Sequence, residues 1–352
     1  MRYEIRRRED GKWAIFDENG NMVTREWFDY VSLFGLVEGQ IPYYIAVKDG
    51  KWAIFDKDGK QISPEWFDKI SLYGLVGGES RYYIAVKDGK CAIFDKDGNQ
   101  ISEWFDWIEE YGLVMGESKY YIARKDSKYA IFDFDGNMIT PKWFDYVSSF
   151  GLVEGRSEHY IAKKDGKEAI FDINGKMISP EWFDEVYSFG LVEGRSEYYI
   201  AKKDKKYAIF DKNGNMITED WFDYIDISGL VWGQSNLYVA KKDGKWAIFD
   251  VNGNRITEWF DEIHTAGLVC GQSKYYIAKK DWKYAIFDID GNQITDWFDK
   301  ILPYGLVRGE IDYFIACKGK KCAVYYKDGK KVSEDFSIKH LKNIYSINFN
   351  EN

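Results

Sequence analysis

A segment of about 39 residues recurs nine times along this chain of 352 residues, and no other feature constrains the fold as strongly. Each copy runs through Tyr-Tyr-Ile-Ala, Lys-Asp-Gly-Lys and Ala-Ile-Phe-Asp, and then through Trp-Phe-Asp and Gly-Leu-Val. A fixed period of about 20 to 50 residues is typical of a tandem array, in which each copy packs on its neighbours. The tryptophan of Trp-Phe-Asp marks the period at Trp27, Trp66, Trp104, Trp143, Trp182, Trp221, Trp259 and Trp297.

The repeat occupies the chain from end to end, without a linker rich in proline or serine. We therefore predict a single repeat domain over residues 1–352. The nine copies cover approximately residues 1–42, 43–81, 82–119, 120–158, 159–197, 198–236, 237–274, 275–312 and 313–352.

Composition and turn residues both favour β structure. Aromatic residues make up 18% of the chain and hydrophobic residues 45%, and the abundant Ile, Val, Tyr, Phe and Trp are enriched in strands. Asp-Gly between two β-rich runs is a strong hairpin signal, because glycine accepts the positive φ of a tight turn. A second turn leads into Ile-Thr/Ser, so we predict a β-meander. Gly-Leu-Val-x-Gly is predicted to form a short fourth strand, reached by a crossing connection of about ten residues.

Four strands in each copy match the general plan of a propeller blade. The predicted fold class is therefore all-β, as a nine-bladed β-propeller, with an open β-solenoid or superhelix as the alternative. The alternative arises because the terminal copies deviate: Arg6 stands where internal copies have Ala46 or Ala85, and residues 345–349 replace Gly-Leu-Val. Altered terminal repeats are typical of open solenoids.

Charge and hydropathy restrict the partners. The net charge is −9 with both signs interleaved in every copy, so no basic face for nucleic acid is expected. The first eight residues have no apolar run behind their charges, and no stretch approaches 18 apolar residues. We therefore predict no membrane span and a cytoplasmic location; export would require that a signal peptide has been removed.

The four cysteines, at positions 91, 270, 317 and 322, occupy slots that hold other residue types in the remaining copies. Cys91 and Cys322 stand where other copies have tryptophan, so we interpret them as packing residues rather than a disulfide framework, which fits a reducing compartment. Pairing of Cys317 with Cys322 stays open, because the two lie five residues apart on neighbouring predicted strands.

Carboxylates recur in two motifs. The aspartate of Trp-Phe-Asp is either part of a ring of metal or acid–base groups, or an acceptor for backbone N–H groups that pins the crossing loop. We favour the acceptor role, because catalysis requires one asymmetric site rather than eight identical ones. Asp-x-Asp-Gly, as at Asp56 and Asp58, is similar to the start of a calcium loop, but no later carboxylate completes it, so we interpret it as a turn.

No catalytic motif stands out. His159, His264 and His340 lie in unrelated slots without metal-ligand spacing, and the chain has no phosphate loop and no nucleophile elbow. We predict that the protein is not an enzyme and needs no cofactor or metal. An active site assembled from single-copy residues of several repeats would carry none of these motifs.

The copies differ most at the residue after Trp-Phe-Asp and in the stretch that follows it. In a repeat array such variable positions collect on one face, which is the usual binding face. We therefore predict that the aromatic residues in this slot bind a ligand, although drift at exposed positions would give the same variation. A second candidate stripe is the slot that holds Trp13 and Trp52 but also admits Glu168. The predicted ligand-binding residues are Tyr30, Trp107, Tyr146 and Tyr224.

Residues 51–76, with Lys-Trp-Ala-Ile-Phe-Asp, Trp-Phe-Asp and Tyr-Gly-Leu-Val, resemble the bacterial WG (KWG) repeat family. The chain departs from that family in having Trp-Ala where the family has Trp-Gly. The run from Gly11 to Thr24 is also similar to the choline- and glucan-binding repeats of bacterial surface proteins. Both resemblances imply a bacterial β-repeat scaffold used for binding, and neither implies catalysis.

The predicted function is a non-catalytic, monomeric binding scaffold that holds a protein or carbohydrate partner on its variable-loop face. The first alternative is a structural element whose repeats assemble end to end through exposed edge strands. The second is an enzyme with a composite site.

Overall fold

The computed structural model describes residues 2–39 and 41–337, which form 27 strands, one four-residue α-helix and one four-residue 3₁₀ helix. The predicted all-β fold is confirmed. The chain divides into two compact units, Met1–Trp182 and Phe183–Asn352, built from the same repeated elements. Within the described ranges, neither helix has the length and hydrophobicity that crossing a bilayer requires.

Each repeat contributes two long strands and one short strand. The strands are β1 (Tyr3–Arg7), β2 (Trp13–Asp17), β3 (Tyr30–Val31), β4 (Tyr43–Lys48), β5 (Lys51–Asp56), β6 (Lys69–Ile70), β7 (Tyr82–Lys87), β8 (Lys90–Asp95), β9 (Trp107–Ile108), β10 (Tyr120–Lys125), β11 (Lys128–Asp133), β12 (Tyr146–Val147), β13 (His159–Lys164), β14 (Lys167–Asp172), β15 (Glu185–Val186), β16 (Tyr198–Lys203), β17 (Lys206–Asp211), β18 (Tyr224–Ile225), β19 (Leu237–Lys242), β20 (Lys245–Asp250), β21 (Glu262–His264), β22 (Tyr275–Lys280), β23 (Lys283–Asp288), β24 (Lys300–Ile301), β25 (Tyr313–Lys318), β26 (Lys321–Tyr326) and β27 (Phe336–Ser337). The helix α1 is Ala266–Val269, and the 3₁₀ helix is Gly305–Arg308.

The two long strands form the predicted hairpin. In β4 and β5, Lys48 lies opposite Lys51, and the turn between them has Asp49 at φ 52° and Gly50 at φ 72°. Two consecutive positive φ angles define the type I′ turn, whose twist matches that of the strands. Three hairpins place a residue other than glycine at the second turn position, also at positive φ: Ser127, Lys205 and Trp282.

A short strand is added to every antiparallel sheet except the first, which consists of β1 and β2 alone; the order β3-β4-β5 is an example. The segment that carries it belongs to two sheets, because Phe28 N–H donates to the Trp13 carbonyl oxygen at 2.9 Å while the next residue, Asp29, donates to the Val47 carbonyl oxygen at 2.8 Å. The predicted third strand, by contrast, is reduced to one bridge, such as that between Phe55 and Gln61. One segment therefore leaves one sheet and enters the next within two residues.

Gly-Leu-Val-x-Gly was expected to be a strand, and this prediction is wrong. The segment forms a helical turn, as in α1 and the 3₁₀ helix, within the connection between the short strand and the first long strand of one sheet. The segment is crowded: a Cβ atom added to Gly35, which has φ 86°, would lie 2.4 Å from the Tyr43 carbonyl oxygen. Leu36 N–H donates to that same oxygen, so the turn closes the connection and leaves no ladder for a strand to join.

The core lies between consecutive hairpins. One hydrophobic cluster contains Ile45 and Ile54 from one hairpin together with Ala85 and Ala92 from the next. The two alanines are fully buried and lie directly opposite each other, which leaves room for the isoleucines of the preceding hairpin. This packing explains the constant alanine, since a larger side chain would overpack the interface.

One phenylalanine in the second long strand of repeats two to eight contacts the preceding repeat. The ring of Phe55 stacks on Tyr44 at 5.5 Å and also contacts Phe28 at 5.5 Å and Trp66 at 5.9 Å. Such ring pairs contribute about 0.5–1.5 kcal/mol each beyond the area they bury. The constant aromatic residues therefore hold one repeat against the preceding repeat.

The interpretation as a packing residue is wrong for Cys322, because the pairing with Cys317 that the sequence left open is present. Cys317 and Cys322 form a disulfide between β25 and β26, whereas Cys91 and Cys270 are free. The two paired cysteines lie directly opposite in the register, with Cα atoms 4.0 Å apart, so their side chains meet on one face of the hairpin. In the other hairpins the Cys317 slot holds valine, lysine or arginine, and the Cys322 slot holds aromatic residues, Glu168 or Cys91.

Replacing Lys205 with glycine is expected to stabilise the protein by about 1 kcal/mol. Lys205 has a φ of 65°, which is strained for a residue with a Cβ atom but not for glycine. Glycine also makes the unfolded chain more flexible, but this entropic cost is smaller than the strain that it relieves. The free energy of unfolding in urea measures this. The reverse change, Gly166→Lys at φ 78°, is the control and should destabilise by a similar amount, since no atom lies within 4 Å of the added Cβ. A loss of stability in Lys205→Gly would contradict the turn assignment.

Candidate functional site

The predicted ligand-binding residues begin the short strands near the hairpin turns. In the sheet of β18, β19 and β20, Tyr224 lies opposite Lys241, which in turn lies opposite Trp246. Side chains at directly opposite positions project from the same face of a sheet. The variable slot and the second candidate stripe of the sequence analysis are thus two ends of one three-residue line, which we call the turn-end row.

In the first unit the turn-end row is continuous across two sheets. The Trp107 ring contacts the Tyr129 ring at 6.3 Å, and Tyr129 contacts Tyr146 of the next sheet at 5.8 Å. The structure thus brings Trp107 and Tyr146 together through Tyr129. Tyr30 belongs to a sheet two repeats earlier, where it lies opposite Val47.

In the second unit the row is longer. Tyr187 contacts Tyr207 at 6.2 Å, Tyr207 contacts Tyr224 at 6.4 Å, and Tyr224 contacts Trp246 at 5.6 Å. Tyr224 therefore stands in the middle of four rings from two consecutive sheets. Sequence analysis missed Tyr187, because it lies two positions after the variable slot and has no aromatic counterpart in the other repeats.

Lysine side chains lie over the rings of this row. The Nζ atom of Lys202 is 5.6 Å from the Tyr207 ring centroid, and that of Lys241 is 5.3 Å from the Trp246 ring centroid. Burial, followed by the charge of nearby Glu185, raises the pKa of Tyr187 to about 12. The row therefore presents neutral phenol groups as hydrogen-bond donors beside ammonium groups.

The row is accessible to a partner. The exposed fractions of Tyr30, Tyr146 and Tyr224 are 42%, 48% and 44%, whereas Trp107 is half-buried. Exposed aromatic rings that are held by their neighbours supply contact area at a low cost in side-chain entropy.

The aspartate of Trp-Phe-Asp bonds to two consecutive hairpins. The Asp29 carboxylate accepts a hydrogen bond from the ammonium group of Lys12, in the preceding hairpin, at 2.7 Å. It accepts a second one from the backbone N–H group of Asp49, in the next hairpin turn, at 2.6 Å. The same pair of contacts is made by Asp261, with Lys245 and with the N–H group of Asp281. We call this arrangement the Asp clasp. The predicted acceptor role is correct, but the segment that the aspartate pins is a hairpin turn and not the crossing loop.

The Asp-x-Asp-Gly segments are turns in which the first carboxylate binds backbone. Asp56 Oδ1 accepts the N–H groups of Asp58 at 3.0 Å and Lys60 at 2.8 Å. This local hydrogen bonding is what the turn interpretation predicts. Among residues 2–39 and 41–337, no group of three or more His, Cys, Asp or Glu side chains is placed to hold a metal ion.

Single-copy polar residues meet at one cavity in the second unit. The cavity, of about 390 Å³, is lined by residues that include Asp226, His264, Cys270 and Arg308. His264 Nε2 lies 3.1 Å from Glu262 Oε1, which fixes the imidazole at the end of β21. His340 lies outside the described residues. The repeat pattern gave no signal for this cavity, because each of its polar residues departs from the consensus.

Comparison with models of known protein families gives no match, and comparison with curated proteins gives none either. Among solved structures, the chain is similar to a eukaryotic initiation factor, with 11% identity over 95% of each chain and a TM-score of 0.33. It is also similar to Hsv2 of Kluyveromyces lactis, with 12% identity over 84% of this chain and 96% of that one and a TM-score of 0.28. A third is apo AztD of Citrobacter koseri, with 10% identity over 96% and 95% of the two chains and a TM-score of 0.28. Likenesses this weak define neither a family nor a function.

Acid is expected to destabilise the fold through the Asp clasps. The lysine contact, with the backbone N–H group second, lowers the pKa of the clasp aspartates below the ordinary value of 3.8. Because the folded-state pKa is depressed, the stabilisation is complete above that ordinary value and is lost as the pH falls through the lowered values. The affected residues are Asp29, Asp68, Asp106, Asp145, Asp261 and Asp299.

The urea midpoint, followed by tryptophan fluorescence from about pH 6 down to about pH 2, measures this effect. Replacing two clasp aspartates, Asp68→Asn and Asp145→Asn, should lower the midpoint at neutral pH and flatten its dependence on pH. An equally steep acid dependence in the double variant would show that other carboxylates are responsible.

Proposed function

We propose that the protein is a non-catalytic binding module whose turn-end row holds a protein or carbohydrate ligand. The observation that carries this proposal is the run of ring contacts from Tyr187 through Tyr207 and Tyr224 to Trp246. A core would bury these rings fully, yet Tyr224 is exposed and its neighbours are only half-buried.

The chemistry of the row suits a polar ligand with apolar patches. Aromatic faces bind apolar surface, while phenol hydroxyls and ammonium groups bind hydroxyl, carbonyl or carboxylate oxygens. The ammonium groups of Lys202 and Lys241 lie over aromatic rings at the surface that the ligand would contact. Because these lysine side chains are already held there, they lose less entropy when the ligand binds. Both a sugar chain and a protein loop meet this description.

Replacing Tyr30, Trp107, Tyr146 and Tyr224 with alanine is expected to abolish ligand binding while leaving the fold intact. Truncating an aromatic residue that acts as a binding hot spot costs about 1–3 kcal/mol, which is about fivefold to 150-fold in affinity. Binding is measured on a glycan array and by calorimetry with any ligand that the array or a protein partner screen identifies.

The matched control replaces Met22, Met138 and Met216 with alanine. These methionines are also exposed, but they occupy a different slot of the repeat. This variant should bind as the wild type does. Unchanged binding by the aromatic variant, with far-ultraviolet circular dichroism also unchanged, would reject the turn-end row as the site.

For the finer architecture we propose the closed nine-bladed ring, with the open solenoid as its rival. Stacked hairpins in consecutive repeats support a blade-like arrangement. A closed ring should give a radius of gyration of about 20 Å in small-angle X-ray scattering, the value for a compact chain of this length. A much larger radius would establish the open solenoid.

A further inference from the structure

A second set of aromatic residues, which the function proposed above does not use, lies immediately before Gly-Leu-Val in four consecutive repeats of the first unit. Their side chains are 43–55% exposed, although each is a large apolar group on an otherwise well-packed repeat. Leu33 and Leu72 precede two of them and are also exposed. We call the four residues the loop row: Phe34, Tyr73, Tyr111 and Phe150.

The loop row stands apart from the turn-end row. Tyr30 lies opposite Val47, next to the hairpin turn, whereas the loop that holds Phe34 closes on Tyr43, at the other end of the same long strand. The two rows therefore occupy opposite ends of the first long strand, and a ligand at one leaves the other open.

The backbone of the loop row is held in place before any partner binds. The Ser32 hydroxyl accepts the Phe34 N–H group at 3.1 Å, the Ser71 hydroxyl accepts that of Tyr73 at 3.2 Å, and Ser148 does the same for Phe150. A loop whose backbone is already ordered loses less entropy when a partner binds. A surface loop that varied without any function would not need the same hydrogen bond, from a backbone N–H group to a serine hydroxyl, in three repeats.

The surroundings of the loop row are acidic. The connections that carry it, residues 32–42, 71–81, 109–119 and 148–158, contain seven acidic and three basic residues. Glu110 Oε1 accepts the Ser71 hydroxyl at 2.6 Å, which places a carboxylate of one repeat against the loop of the preceding repeat. Exposed apolar rings on loops with an excess of carboxylates match a partner that carries apolar and basic side chains.

The same loops also enclose a groove. A cavity of about 360 Å³ lies between residues 79–82 and residues 113–119. Tyr82, Leu113 and Phe134 supply its apolar walls, and the basic side chains of Arg81 and Lys119 also line it. Glu79 stands at the groove as well as capping the N–H group of Gly74. The groove gives an apolar side chain of a partner a place to enter beside the row.

We propose that the loop row is a docking surface for a basic, amphipathic protein segment. The rings and the groove take the apolar side chains of the segment, and the carboxylates attract its lysines or arginines. An anionic membrane or a nucleic acid is disfavoured by the acidic surroundings. A neutral glycan would not exploit the charge.

The test uses three synthetic peptides of equal length and the full chain. The first peptide alternates leucine-rich and lysine-rich segments. The second has glutamate in place of every lysine, and the third keeps the lysines but has serine in place of every leucine. Fluorescence anisotropy measures the dissociation constant of each. The first peptide should bind at least about tenfold more tightly than the other two, because both apolar and basic groups contribute.

The decisive variant replaces Phe34, Tyr73, Tyr111 and Phe150 with alanine, and it should weaken binding of the first peptide by about tenfold or more. The Met22, Met138 and Met216 variant should leave it unchanged, and unaltered circular dichroism shows that both variants fold. Equal binding of the first and third peptides would overturn the proposal, since simple charge attraction would then suffice.

Two other outcomes also overturn it. If the alanine variant of the turn-end row loses the peptide and that of the loop row keeps it, the peptide binds at the site of the proposed function. If the loop row variant loses binding to a neutral polysaccharide but not to the peptide, the partner is a glycan. If the turn-end row variant binds every ligand as the wild type does, the proposed function is rejected, but peptide binding at the loop row is unaffected by that result. The two proposals can therefore fail independently of each other.

Discussion

The segment Trp-Phe-Asp-x-Ile, which pairs with two sheets at once, is the constraint on which the rest of the structure depends. Phe28 bonds to the second strand of one hairpin and Asp29 to the first strand of the next, so the backbone passes directly between sheets. The Asp29 side chain then ties Lys12 to the following turn. Backbone and side chain together set the spacing of the hairpins, and this spacing allows the isoleucine and alanine pairs to fill the space between them.

This arrangement leaves exposed positions at both ends of the first long strand of each sheet. The variable residue after the clasp aspartate is held at one end of the long strand, and the residue before Gly-Leu-Val is held at the other. Both positions are partly or fully exposed in most repeats, although Trp107 and Phe189 pack against the edge of a core cluster. The repeat can therefore vary its surface chemistry, from Tyr224 to Glu262 in one slot and from Phe150 to Ser228 in the other, without altering its packing.

Much of the local structure could be predicted from the sequence because it depends on short-range chemistry. Asp49-Gly50 requires a positive φ, Ala-Ile-Phe-Asp has strand propensity, and Asp56 binds its own turn. The helical turn at Gly-Leu-Val could not be predicted, because it depends on a bond from Leu36 to Tyr43 across the connection. The turn-end row was predicted only in part: its contacts follow from the register between strands, as between Tyr224 and Trp246, and a single repeat does not reveal that register.

The Asp clasp also bears on how such a chain can evolve. Each clasp uses one lysine, one aspartate and one turn, and all three recur with the period of the repeat. A duplication of one period therefore inserts a complete set of partners, and a deletion removes a complete set, so neither leaves an unmatched charge at the new junction. Copy number can change by recombination within the coding sequence, while the surface slots of each new copy diverge independently.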